Sequence, residues 1–291
     1  DENKPYSFFW LSKETSILIN NWFMMYFLSV VLIGTVYPIF LDVISSQKIS
    51  VGPPFYHKLI IPFLVPFLLM MAIGPKLRWI KSHLEDKIYL ISFFIISILL
   101  AYYVLENFNK NILTNTILIS SALYLFFITI RDFFIKKYKN ISQNIAHFGF
   151  SLLILSILLN NLFSDEIITN LKVGETFENS KTKIVFESID QKNEKNYSAI
   201  IANFSIRSSN GEEDSLSPEL RIYNQPTIAT SEADIRTNLL TDKFIVINLV
   251  QNQDYFNVRY QVKPFMLWIW LSVILISFGG IVSFLKKHHE K

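Results

Sequence analysis

The 291-residue chain contains no cysteine. That excludes disulfides, a thiolate metal centre and any covalent thiol intermediate. Glycine is scarce, eight in all, and none stands in a phosphate-cradling loop; no serine triad and no paired-carboxylate site is evident either. Charged residues make up only 18% of the chain. Hydrophobic residues reach 51% and the mean hydropathy is +0.33, the profile of an integral membrane protein and not of a soluble globule. The chain opens on polar residues, Asp1 to Lys4, without a basic region feeding a short apolar core, so no signal peptide is visible and the opening reads as the middle of something longer. Internal repeats and low-complexity tracts are also lacking. The abundance of Ile, Phe, Asn and Lys suggests a low-GC genome, bacterial or organellar.

What the chain does have is long apolar runs. Six of them approach the length of a membrane-crossing helix: Asn21 to Ile44, His57 to Gly74, Ile88 to Leu105, Ile112 to Ile130, Ile145 to Phe163 and Pro264 to Leu285. Basic residues set their direction. Lys76, Arg78, Lys81 and Lys87 follow the second run, Arg131, Lys136, Lys137 and Lys139 the fourth, and Lys286, Lys287 and Lys291 the sixth. These clusters belong on the cytoplasmic side, with both termini inside. Such loops report topology, so no nucleic-acid partner is expected. Trp22, Trp268 and Trp270 stand at the starts of runs, where aromatic belts form.

Residues 164–263 are of another kind. Short segments with strand character replace the apolar runs: Thr182 to Ser188, Tyr197 to Ile206, Leu220 to Tyr223, Lys243 to Val250 and Tyr255 to Val262. In the last, Phe256, Val258, Tyr260 and Val262 alternate with Asn257, Arg259 and Gln261, which is the pattern of a half-buried antiparallel strand. Asn210-Gly211 reads as a turn. This stretch holds eleven Lys or Arg against fifteen Asp or Glu and carries −4, leaving +7 on the remainder. The expected architecture is therefore a polytopic α-helical membrane protein of about six spans, with an outward-facing, mainly β domain inserted before the last. Residues 1–163 form the five-helix membrane domain, 164–263 the β domain, and 264–291 the final span with a basic tail.

Within the spans one ionisable side chain stands out. His147 is the only charge-capable residue in Ile145 to Phe163, and an imidazole in hydrocarbon is seldom kept without a partner. From this residue alone a haem ligand, a proton relay and a packed polar side chain all remain open. Gly149, two residues on, allows close approach by a planar ligand or by a neighbouring helix. A bis-histidine site requires a second imidazole at similar depth, and this sequence contains none. His57 borders the outer surface, and His83, His288 and His289 lie in basic segments as solvated groups. Pro62 and Pro66 kink or break the second span, or are tolerated there. Glu14 beside Lys13 suggests a surface pair at a helix start.

The order of local segments resembles the later half of the cytochrome c maturation protein F family, CcmF. The run Ser12-Lys13-Glu14-Thr15-Ser16-Ile17-Leu18-Ile19-Asn20-Asn21 is followed by Gly34-Thr35-Val36-Tyr37-Pro38, Ser50-Val51-Gly52-Pro53-Pro54-Phe55, Pro62, Pro66 and Ile73-Gly74-Pro75. Ala146-His147-Phe148-Gly149, Pro218-Glu219-Leu220-Arg221-Ile222-Tyr223 and Lys263-Pro264 with Trp268-Ile269-Trp270 continue the likeness. Individually most are weak; their sequence is specific.

The resemblance implies a subunit of a system I cytochrome c haem lyase, which joins haem vinyl groups to apocytochrome c thiols outside the membrane. Implied partners are the haem chaperone CcmE, lyase partners of the CcmH and CcmI kind, and apocytochrome c. It further implies that His147 is one axial ligand, through the iron, of a membrane haem b. The opposing histidine, the tryptophan-rich haem-receiving segment and its two flanking histidines belong to the family's earlier half, and nothing here corresponds to them. The resemblance therefore implies a carboxy-terminal piece or the later product of a split gene, not competent on its own to attach haem. Lys13 stands where the family more often has arginine, keeping the charge without the bidentate fork. Pro218, Glu219, Arg221, Tyr223 and Glu232 are the expected partner-facing residues of the outer domain. The expected location is the bacterial inner membrane with the β domain in the periplasm, or alternatively the mitochondrial inner membrane. A transporter or channel subunit and a structural membrane scaffold are the competing readings.

Overall fold

The structure, a computed structural model, describes residues 12–45, 49–79, 87–106, 112–135, 141–209, 211–250 and 254–289. His83, Lys81, Lys136, Lys137, Lys139, Lys291 and Asn210, together with the side chains of Lys87, Lys287, His288 and His289, lie outside what is described. Two compact units are present, Asp1–Leu155 with Ser272–Lys291, and Ser156–Leu271.

Among the described residues six helices are long and apolar enough to cross a membrane. They are α1 (Lys13–Ser45), α2 (Pro53–Ile73), α3 (Lys87–Leu105), α4 (Ile112–Ile135), α5 (Ile141–Phe163) and α6 (Met266–His289). With the β-sandwich that precedes α6, these are the helices and the inserted β domain of the expected fold class. Helix α1 starts eight residues before the apolar run does, because Ser12 caps it: the Thr15 N–H donates to Ser12 Oγ at 3.3 Å and the Ser16 N–H to the Ser12 carbonyl at 3.0 Å. Helix α2 begins on Pro53 and Pro54, whose missing N–H groups have no helical partner to lose. It stays helical through Pro62 and Pro66. The Tyr26 hydroxyl donates to the Leu59 carbonyl at 3.0 Å beside the first of these interruptions, as a neighbouring helix does for a proline-containing span.

Two close approaches lock α1 against α2. A Cβ added at Gly34 would stand 2.7 Å from the Tyr56 hydroxyl oxygen, and one at Gly74 would collide with Ser16 Oγ. Gly34 lies eighteen residues after Ser16, and Gly74 eighteen after Tyr56, so the helices run antiparallel in register over about 27 Å. That length is close to the ~30 Å of a bilayer's hydrocarbon core. Between the two glycine contacts the interface is aromatic, with Tyr26–Phe63 centroids 4.5 Å apart, Phe27–Phe67 5.4 Å and Phe23–Phe67 6.0 Å.

In the second unit, β1 (Asp165–Leu171), β10 (Phe256–Pro264), β9 (Thr241–Leu249) and β8 (Asp234–Thr237) form one antiparallel sheet in that order. The other sheet runs β2 (Thr176–Glu178), β3 (Thr182–Asn193), β4 (Tyr197–Ser208), β6 (Glu219–Asn224) and β7 (Thr227–Glu232), with β5 (Glu213–Leu216) paired to β4. Five of these ten strands correspond to segments legible by alternation. The others are short or polar, and neighbouring strands supply what their patterns lack. Phe186, Phe204, Ile184, Ile206, Ile245, Ile247 and Val258 fill the space between the sheets, all but excluded from solvent. Gln261, on the face assigned to solvent by alternation, is 5% exposed, because its side-chain N–H donates to Glu166 Oε1 at 2.6 Å across to β1. Gly211 takes φ 84° at the β4–β5 connection, where its N–H donates to the Ser208 carbonyl at 2.9 Å.

Lys243 was legible only as a strand residue, yet it is buried. Burial alone would lower its pKa, but hydrogen bonds to Asp214 at 2.8 Å and Glu212 at 2.7 Å outweigh that and raise it. Burial also pushes the Tyr260 hydroxyl up from 10.0 to about 12. Both groups hold their protons in the folded state at a pH where the unfolded chain has released them, so the stability they contribute is present below about pH 10 and declines as pH rises beyond it. The melting temperature of the strands, followed by circular dichroism in detergent, is expected to fall between pH 10 and 12. Tyr260 contributes on the order of 2 kcal/mol to that fall, and Tyr260→Phe should flatten the slope; an unchanged slope would count against the assignment.

Candidate functional site

The orientation of α5 follows from three sets of contacts on three faces. Towards α4, Asn144 Nδ2 donates to the Asp132 carbonyl at 3.3 Å, Phe148 stacks on Phe126 at 5.9 Å, and the buried hydroxyls of Ser151 and Thr129 hydrogen-bond at 2.8 Å. Towards α6, Gly149 meets Ile276, whose backbone nitrogen would be 3.0 Å from an added Cβ. Gly279 meets Ala146 and Ser142, with backbone atoms 2.9 Å away. Both glycines serve helix crossing. The close approach that Gly149 permits is therefore made by a helix and not by a planar ligand.

Gln143, His147 and Phe150 share the remaining face at spacings of four and three. Phe150 reaches Phe67 of α2 at 6.1 Å. Gln143 and His147 instead line a cavity of about 240 Å³ together with Lys13, Ser16, Ile17 and Asn20 of α1 and Met70, Met71, Gly74 and Pro75 at the end of α2. The cavity is thus built where the first turns of α1, the last turn of α2 and the second turn of α5 converge. Among the described residues the imidazole of His147 takes no hydrogen bond, and it is only half-buried.

Lys13 is held at the cavity edge. Its N–H donates to the Arg78 carbonyl at 3.2 Å and its ammonium lies 5.2 Å from the Trp79 ring centroid, a cation–π arrangement and not the surface pair suggested by its neighbour Glu14. Lys76, legible only as one charge of a topological cluster, is a buried partner of Asp132 on α4. Both act electrostatically on His147. An acidic residue inside the end of an apolar helix was the available signal for this pair.

His57 is exposed near the start of α2, about 25 Å along that helix from Gly74, so it cannot reach the same ligand as His147. Among the described residues no cluster of three or more His, Asp or Glu could hold a metal ion. A single imidazole on the wall of a mixed apolar and polar cavity is a donor that could hold haem iron, and Ile17, Met70, Met71 and Pro75 would suit a macrocycle. Lys13, Asn20 and Gln143 offer hydrogen-bond donors at the same cavity.

The residues expected on the partner surface fall on two strands. Glu219, Arg221 and Tyr223 alternate along β6, and Glu232 on β7 stands opposite Glu219. Arg221 Nε donates to Glu219 Oε2 at 2.7 Å and its guanidinium lies 5.1 Å from the Tyr197 ring, which packs at 5.4 Å against Tyr223. All four are half-buried; Glu219, Arg221 and Tyr223 are linked through Tyr197, whereas Glu232 accepts from the Thr230 hydroxyl at 3.3 Å. Pro218 corrects the expectation: its side chain is fully buried, and its carbonyl accepts the Ala202 N–H at 3.0 Å, so it shapes the start of β6 from inside.

Residues 162–264 match the family described as CcmF C-terminal beta-sandwich. Over 96% of its length the chain is 27% identical to the cytochrome c-type biogenesis protein CcmF of Pseudomonas fluorescens, of which it covers 44%, and 23% identical to CcmF of Escherichia coli strain K12, of which it covers 45%. The chain is thus similar to the carboxy-terminal part of CcmF over nearly its whole length. It spans somewhat under half the length of these relatives, which are bacterial. A solved structure, "Cytochrome c Heme Lyase CcmF", superposes with a TM-score of 0.71 at 20% identity, covering 94% of this chain and 46% of that one. At that identity the likeness establishes the CcmF fold, helices and sandwich alike.

Proposed function

We propose that this chain supplies the carboxy-terminal portion of a haem lyase subunit for cytochrome c biogenesis, and that His147 is one axial ligand of a haem b held in the membrane. The observation that carries the reading is the half-buried imidazole without a hydrogen-bond partner among the described residues, facing a cavity lined by Ile17, Met70, Met71 and Pro75. A cavity of about 240 Å³ is smaller than the ~300–1,000 Å³ of a complete ligand pocket. The opposing ligand and wall then come from polypeptide outside this chain. When bound, the haem supplies a one-electron couple. The chain's own contribution is to orient the imidazole through the α4 and α6 contacts, to keep apolar side chains against the site, and to offer Lys13, Asn20 and Gln143 to polar groups on the ligand's edge.

In this reading the sandwich lies in the periplasm of a bacterial inner membrane, supported by its −4 charge against +7 on the rest of the chain and by the basic segments at the opposite ends of the spans. Its partners are a CcmE-type haem chaperone, CcmH- or CcmI-type lyase subunits and apocytochrome c. Redox difference spectra of the purified complex, assembled with the remaining lyase polypeptide, are expected to show b-type haem bands; their absence would favour a transporter or scaffold. The face formed by Glu219, Arg221 and Tyr223 of β6 with Glu232 of β7 is the proposed docking surface. An Arg221→Glu, Tyr223→Ala variant should lower recovery of apocytochrome or haem chaperone in pull-downs at least tenfold, and full recovery would remove that role.

A further inference from the structure

The β8–β9 hairpin closes with the Asn238 N–H donating to the Thr241 carbonyl at 2.9 Å, which puts Leu239 and Leu240 at its two corners. Corners of surface turns ordinarily go to Gly, Pro, Asn, Asp or Ser, for conformational and solvation reasons that leucine does not meet. Yet Leu239 is 72% exposed and Leu240 61%. Two adjacent apolar side chains at the tip of a turn need an apolar environment from outside the unit.

Their position says which. The Phe265 N–H donates to the Leu240 carbonyl at 2.7 Å, and the Trp268 indole N–H donates to the Leu239 carbonyl at 2.9 Å. Phe265 adopts φ 61°, a left-handed conformation that a bulky residue takes only where its surroundings hold it there. The turn is thus bonded to the first turn of α6, a membrane-crossing helix whose start carries Trp268 and the 63% exposed Trp270. Tryptophans at such a position sit at headgroup level. Leu239 and Leu240 are held at the same depth, and the turn Asn238–Thr241 carries no charged side chain to oppose insertion.

We propose that the Leu239–Leu240 turn is a lipid-inserted anchor, its side chains in the outer acyl region of the same bilayer surface that α6 crosses. The occupant is phospholipid, because the turn is hydrogen-bonded to the start of a helix long and apolar enough to cross the bilayer. The anchor goes beyond the haem reading and does not depend on it. It restrains the sandwich at the point where β10 becomes α6.

The absence of cysteine makes the test direct. Single Leu239→Cys and Leu240→Cys variants of the full chain, labelled with an NBD fluorophore in phosphatidylcholine nanodiscs, are expected to show blue-shifted emission. Lipid carrying a nitroxide near the top of its acyl chain should quench that emission about threefold. Leu249→Cys is the control: the same residue type, 50% exposed, at the far end of β9 and roughly 30 Å away. Its label should be quenched little. Equal quenching at all three sites overturns the proposal, as does shielding at 239 and 240 that appears only when a partner protein is added. Should a labelled variant misfold, hydrogen exchange of the unmodified chain serves instead. Residues 238–241 are expected to exchange about tenfold more slowly in nanodiscs than after transfer to a short-chain detergent that leaves the strands protected, and an unchanged rate there also overturns it.

Discussion

His147→Ala, introduced into the complex assembled with the rest of the lyase, is expected to abolish the b-type Soret band and its reduced α band while leaving the sandwich folded. The effect should be all-or-none in the spectrum. The substitution removes the imidazole on the cavity wall, and the polar groups beside it, Lys13, Asn20 and Gln143, are not replacements for a neutral imidazole at iron. A control separates ligation from packing. Thr129→Val breaks the Thr129–Ser151 hydrogen bond that helps aim α5, leaves the imidazole in place, and should shift the haem midpoint potential or band width without loss of the band. Full retention of the Soret band in His147→Ala would show that the imidazole is a packed polar side chain, and the haem assignment would fail.

The second large effect lies in the sandwich. Phe186→Ala is expected to destabilise that unit by about 3–5 kcal/mol, a large part of the ~5–15 kcal/mol that holds a domain together. Phe186 is 0% exposed, stacks on Phe204 at 4.5 Å and meets Phe256 of the facing sheet edge-on at 5.6 Å. Its removal leaves a cavity that two sheets clamped by their own ladders cannot easily close. Hydrogen exchange of β3 and β4 reads the loss directly, and the slowest amides should exchange roughly 10²–10⁴-fold faster. An increase below tenfold would mean that the sheets collapse onto the gap and that the aromatic cluster is less decisive than its burial indicates. Cavity formation here should leave the helical unit intact, because the clusters that hold α1 against α2 involve none of these residues.

Much of this protein is written in one dimension. A membrane span is specified by length and apolarity, and a half-buried strand by alternation, so six helices and the long strands β3, β4, β9 and β10 were legible along the chain. The imidazole at 147 was legible for a related reason: a titratable group in an apolar run is an anomaly whatever surrounds it. What remained hidden depends on neighbours distant in sequence. The start of α1 at Lys13 follows from a serine cap and not from apolarity, and only those first two turns bring Lys13, Ser16 and Asn20 to the cavity. Gly149 reads equally well as a ligand contact or a helix contact until α6 is seen against it. The burial of Pro218 and Lys243, and the pairing of Lys76 with Asp132, turn on which strand or helix lies opposite. Composition and periodicity by themselves decided which segments enter the membrane and which form sheets, because those are properties of a segment and its solvent. The face that His147 presents, and the depth at which Leu239 and Leu240 are held, were decided only by packing, because each is fixed by hydrogen bonds and close contacts between residues that the sequence keeps far apart.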